Sequence, residues 1–260
     1  MKRKQKNRIW ILQAVLCAIC MMSAVLLYHD YVLIPQKNRE LVEDLKSHFP
    51  EDLPPGGGSP EKPLEQAGKE PEVSVVDLRS LKRQYPAVQG WLTIPDTGID
   101  YPVLQSSQEN PEYYLRRDYR GNYDINGSLF LQADCILGES KNVVIYGHNM
   151  NSGAMFGNLD RYASYDYWEY HQKVFFQTLE GNEAYQIAAV IKADVSMFNF
   201  QKAFFKNQQE VEAYIEQAKA LALFETGVDG AGSETILTLV TCSYEWQQAR
   251  NILVAVKVET

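Results

Sequence analysis

The chain has 260 residues and a formal net charge of −8, with 45% hydrophobic residues. That apolar share suits a folded domain rather than a disordered chain, and the acidic balance excludes a nucleic-acid partner, which needs a basic face.

Basic residues cluster once, at Lys2, Arg3, Lys4, Lys6 and Arg8. An apolar run follows from Ile9 to Tyr28, in which only Gln13 and Ser23 are polar. As a helix, a run of this length spans about 30 Å, the thickness of a bilayer's hydrocarbon core. A cleaved signal peptide has a shorter apolar core and a small-residue cleavage site. The run therefore reads as an uncleaved single-pass anchor over 9–28. Residues 1–8 should stay in the cytoplasm and the rest lie on the outer face of the cell membrane.

"PQKNRELVEDLKSHF" reads next as a short exposed helix or stalk. Pro50 to Glu72, "PEDLPPGGGSPEKPLEQAGKEPE", is rich in Pro, Gly and charge and cannot bury a core. Residues 29–72 thus form a stalk and flexible tether, and the folded domain spans 73–260.

Inside the domain the signals are mostly β. "VQGWLTI" (Val88–Ile94) and "IDYPVLQ" (Ile99–Gln105) flank a "PDTG" turn. "GSLFLQA" (Gly127–Ala133) and "NVVIYGH" (Asn142–His148) follow. "KVFFQTL" and "AYQIAAVIKADV" form a hairpin around "EGNE", and "TILTLVTC" and "NILVAVKV" close the chain. Eight such strands without βαβ alternation predict a mainly β fold, a closed or nearly closed barrel.

Helices interrupt the strands. "VVDLRSLKRQY" precedes the first, and the aromatic stretch Met155–His171 reads as one or two short helices. The clearest helix runs from Asn207 to Phe224, with Asn207 as N-cap and Glu210 at the capping-box position. It sits immediately before the strand that carries Cys242.

Cys17 and Cys20 fall in the apolar run, leaving Cys135 and Cys242 for the domain, as a disulfide pair or as free thiols. Cys242 ends an apolar run in "TLVTCSYEWQQAR", and Arg250 precedes the next. A useful thiol nucleophile needs a base. Of the histidines, His29 lies beside the anchor, His48 in the stalk, and His171 at a helix end. His148 also stands where an apolar strand ends, in "VVIYGHNM". Parallel strands would put His148 and Cys242 at one end of the barrel, and an antiparallel last pair would bring Arg250 beside Cys242. A thiol, an imidazole and a fixed cation fit acyl transfer. No metal-ligand spacing and no phosphate loop is visible, so no cofactor or metal is expected.

These residues resemble the sortases, membrane-anchored cysteine transpeptidases of Gram-positive bacteria. "TLVTC" matches the family's TLxTC signature, and the upstream His in "YGHNM" and the following Arg match as well. "VQGWLTIPDTGIDYPVLQ", "GSLFL" and "NVVIYGHNM…MFGNL" look most like class B. The resemblance implies a sortase-type eight-stranded barrel with an N-terminal helix and a long helix before the Cys strand. It implies Cys242 as nucleophile, His148 as general acid and base, and Arg250 as the oxyanion and positioning group.

By the same resemblance, Asn110 and Leu115 in "ENPEYYL", the stretch around Ser196 and Phe200, and Val240 and Thr241 would line the substrate groove. Val240 departs from a common class B pattern, in which Ser precedes the Thr-Cys pair. The implied partners are secreted proteins with a C-terminal sorting signal, cut after Thr, and an amine of a lipid-linked cell-wall precursor. An anchored cysteine peptidase or peptidoglycan hydrolase would use the same thiol with water. A non-catalytic binding domain would leave it inert.

Overall fold

The computed structural model describes residues 2–50, 75–242 and 249–258. Its strands are β1 (Val88–Ile94), β2 (Ile99–Gln105), β3 (Leu129–Leu131), β4 (Asn142–Tyr146), β5 (Lys173–Thr178), β6 (Gly181–Asp194), β7 (Ile236–Cys242) and β8 (Ala249–Lys257). They close into a barrel in the order β1-β2-β3-β4-β7-β8-β6-β5. The β2–β3 and β4–β7 pairs are parallel and all other neighbours antiparallel. Among the described residues, closure pairs every strand on both sides, which removes the open edges that another chain could join. The expected barrel is therefore the observed one.

Leu92, Val144, Ile187, Leu239 and Val254 are fully buried in the main core. The "PDTG" turn between β1 and β2 holds Asp96 and Gly98 at positive φ, the backbone that a tight reversal demands.

The predicted long helix is α5 (Gln208–Ala220), numbered after α1 (Lys2–Tyr28), α2 (Ile34–His48), α3 (Leu78–Gln84) and α4 (Tyr165–Tyr170). Asn207 caps α5, its side chain accepting from Glu210 N at 3.0 Å. Glu210 Oε2 accepts from Lys206 N, at 3.3 Å, rather than from the cap residue itself. The helix ends earlier than its apolar pattern suggests. Beyond it, Leu223 N donates to Val190 O at 2.8 Å, tying the chain to β6 instead of continuing the helical ladder. Val211, Tyr214, Ile215 and Ala218 are the face it buries.

The N-terminal segment differs from the expected exposed stalk. From Trp10 to Leu33 the helix is long and apolar enough to cross a membrane, with mean hydropathy 2.3 and none of it buried. A short π turn, His29–Leu33, then leads into α2, which lies on the barrel. Leu45 is only 3% exposed and joins Leu78, Leu81 and Trp91 in a second core. Lys46 pairs with Asp100, whose carboxylate also accepts from Trp91 Nε1 at 2.7 Å and Thr93 Oγ1 at 3.0 Å. Leu41, Val42, Leu45 and Phe49 make the apolar stripe that docks, and the charges between them disguised it. The tether over 51–72 and the boundary at Val73 lie outside the described residues.

Candidate active site

Register places the first two chemical residues. In the parallel β4–β7 pair, Tyr146 stands beside Val240. Two residues further along each strand come His148 and Cys242, so both leave the barrel at the same end. Gly147 N donates to Val240 O at 3.2 Å, which extends the pairing one step toward them. Gly147 is needed for this path, because a Cβ there would meet Leu129 Cδ2 at 2.5 Å and Phe156 at 2.7 Å. The third residue comes from the antiparallel β7–β8 pair, in which Arg250 is the direct partner of Cys242. Cys242 is described by its backbone. Arg250 is half-buried, and its Nη1 donates to Ala249 O at 2.9 Å.

His148 is half-buried, and its Nε2 is buried with no hydrogen-bond partner among the described residues. Burial holds the imidazole below its usual pKa, the nearby Arg116 guanidinium lowers it further, and a hydrogen bond to the Leu115 backbone opposes both. The Leu115 backbone thus lies beside the imidazole. Gly127 leaves room for that backbone. It has φ +62°, and a Cβ there would lie 2.3 Å from Leu115 O. Ser128 N secures the same turn by donating to Tyr114 O at 3.0 Å.

His148 and Arg250 line a groove of about 420 Å³ together with Leu115, Phe200, Val240 and Thr241. Asn110 and Ser196 stand outside this lining. Asn110 is exposed in the turn before Tyr113, and Ser196 is exposed with its N–H donating to Asp194 Oδ1 at 2.9 Å.

Sequence reasoning overlooked the groove's polar floor. Tyr146 Oη donates to Gln132 Oε1 at 3.0 Å and accepts from Gln201 Nε2 at 3.1 Å. Burial pushes the Tyr146 phenol up to about 12, so it stays protonated near neutrality and cannot act as a base. Its place at the end of β4, two residues before His148, was the available signal.

Phe200 reaches the groove because its loop is clamped from behind. Asn142 Nδ2 donates to Phe200 O at 3.1 Å and Lys202 O at 3.0 Å, while its Oδ1 accepts from Thr238 Oγ1 at 2.7 Å. Cys135 lies elsewhere, buried, with its thiol pushed up to about 11 by burial. Such a thiol is a poor nucleophile.

The Sortase domain family matches residues 92–258. Sortase B of Listeria monocytogenes is 33% identical over 172 residues, covering 65% of this chain and 68% of that protein. Among solved structures, Clostridium perfringens sortase B is 26% identical with a TM-score of 0.63, covering 70% of this chain and 99% of that one. Sortase B from B. anthracis superposes with a TM-score of 0.68 over 88% of this chain and 99% of that one. At 23% identity, that likeness speaks to the fold alone.

Proposed function

Because this chain belongs to the sortase family of cysteine transpeptidases and is most like class B, we propose that Cys242 is its nucleophile, His148 its general acid and base, and Arg250 its oxyanion group. The observation that carries the reading is the strand register. His148 and Cys242 each lie two residues beyond the Tyr146–Val240 pair of adjacent parallel strands, and Arg250 is the cross-strand partner of Cys242.

The chemistry runs in two halves. Neutral His148 takes the thiol proton of Cys242 as the sulfur attacks the scissile carbonyl, and Arg250 donates to the developing oxyanion. The depressed imidazole pKa keeps His148 in its base form near neutral pH. When the C–N bond breaks, the imidazolium Nε2 gives its proton to the departing amine and a thioester remains on Cys242. A primary amine then attacks the thioester and His148 accepts its proton. The product leaves as a new amide and the thiol is restored by that proton.

The substrate in this reading is a secreted protein carrying a C-terminal sorting signal, cut after Thr. The acceptor is an amine of a lipid-linked cell-wall precursor. The groove's size and hydrogen-bonding floor of Gln132, Tyr146 and Gln201 suit an extended peptide, whose backbone needs donors and acceptors. The apolar helix would anchor the protein with its basic N-terminus inside and the barrel on the outer face.

Incubation with a library of sorting-signal peptides, with and without a primary amine, tests the substrate. Cleavage after Thr with amide product only when amine is present supports it. Cleavage elsewhere, or hydrolysis unaffected by amine, contradicts it.

A further inference from the structure

Two amide side chains beside the proposed catalytic residues share one carboxylate. Asn149 follows His148, is 3% exposed, and donates through Nδ2 to Asp160 Oδ2 at 2.9 Å. Asn251 follows Arg250, is 4% exposed, and donates through Nδ2 to Asp160 Oδ1. Asn251 is also the cross-strand partner of Thr241, the residue before Cys242. Asp160 therefore bridges the loop after β4 and the start of β8.

The element that carries Asp160 is itself fastened to the His148 loop. Asp160 belongs to the 3-10 helix Gly157–Ala163. Just before it, Phe156 N donates to His148 O at 2.9 Å, and Asn149 and Met155 form an isolated antiparallel bridge. Gly157 passes so close to Met150 that a Cβ would lie 2.1 Å from Met150 O.

We infer that Asp160 is a positioning residue for the transfer reaction, setting the spacing between His148 and the Cys242–Arg250 pair. It rests on the catalytic reading above and goes beyond it by naming what holds the parts in place. His148 and Arg250 come from separate strands, joined through β7. Among the described contacts, Asp160 supplies a second link that bypasses β7. Asp160 itself is exposed, but both amides that donate to it are buried, and bonds to a carboxylate are stronger and shorter than neutral ones. A displacement of about 1 Å between reacting groups costs on the order of 10² in rate. A carboxylate that merely stapled the loop would affect thermal stability and leave the rate per folded molecule alone.

The test compares wild type, Cys242→Ala, Asp160→Ala, Asp160→Asn and the exchange Asp160→Asn/Asn251→Asp. The readouts are kcat and KM on a sorting-signal peptide, together with Tm. In the exchange, the carboxylate at 251 accepts from the amide at 160, whose own oxygen still accepts from Asn149. Both bonds and the total charge are kept. Asp160→Ala is expected to lower kcat about 10²-fold with KM little changed. Asp160→Asn should be impaired, and the exchange should recover most of the lost kcat. Unchanged kcat in Asp160→Ala, or an exchange no better than Asp160→Asn, overturns the inference while Cys242→Ala stays dead. Activity surviving in Cys242→Ala overturns the catalytic reading instead, and this inference with it.

Discussion

Cys242 and Arg250 are direct partners across the β7–β8 ladder, eight residues apart in the chain. Directly opposed residues in an antiparallel pair have Cα atoms about 4.5–5.5 Å apart. The proposed oxyanion role of Arg250 rests on this pairing.

Arg250→Lys should be far more damaging than the retained charge suggests. Lysine loses the planar fork of donors. Removing one oxyanion donor typically costs about 10²–10³ in kcat. Steady-state kinetics on a sorting-signal peptide check this, and near-wild-type turnover would reduce Arg250 to a diffuse charge.

Arg116→Ala should move the acidic limb of the kcat/KM profile to higher pH. The sign follows from the causes of the His148 shift. Burial and Arg116 both disfavour the imidazolium, so the folded pKa lies below the usual value of about 6.5. Removing Arg116 deletes one cause and leaves burial, so the limb rises toward that value without reaching it. Salt should shrink the difference, because Arg116 is exposed. The same shift makes the folded imidazole harder to protonate than the unfolded one. Its contribution to stability is present above about pH 6.5 and is lost as pH falls. A limb that stays put in Arg116→Ala would mean that burial alone sets it.

Phe200→Leu should raise KM on peptide substrates and leave kcat alone. The change conserves volume approximately, so the buried ring site stays filled. Loss of binding common to ground and transition states appears in KM. Unchanged KM across a peptide panel would remove Phe200 from the groove wall.

Leu45→Ala should destabilise the barrel domain by about 2–5 kcal/mol in urea, although Leu45 lies well before β1 in the chain. Leu45 is 3% exposed against Leu78 and Trp91. A chain beginning at Val73 should accordingly have a lower Tm than one beginning at Ile34. Equal melting of the two would show that α2 does not dock in solution.

The strand pattern was legible because β4, β7 and β8 are apolar runs ended by polar or glycine residues. "NVVIYGH" and "TILTLVTC" gave the positions of His148 and Cys242 without any knowledge of the pairing. The strand order was not legible, since no local residue announces that β4 pairs with β7 across the helix inserted between β6 and β7. The groove floor was missed for the same reason. Gln132, Tyr146 and Gln201 meet only because β3, β4 and the loop after β6 converge, and each looks like an ordinary polar residue in its own segment. The docking of α2 was misread because its few apolar residues sit among charges, and its partner surface of Leu78, Leu81 and Trp91 lies about 30 residues or more further along the chain. Asp160 carried no signal of its own. Its place depends on two asparagines from distant strand ends.

The most direct test of the account is the intact mass of the protein mixed with a sorting-signal peptide, followed by mapping of the modified residue. The account predicts a peptide acyl adduct on Cys242 that an added primary amine discharges as an amide. The adduct should be absent in Cys242→Ala and persist in Cys135→Ala, whose buried thiol is held up at about 11. An adduct that survives Cys242→Ala, or cleavage of the peptide by that variant, would contradict the account.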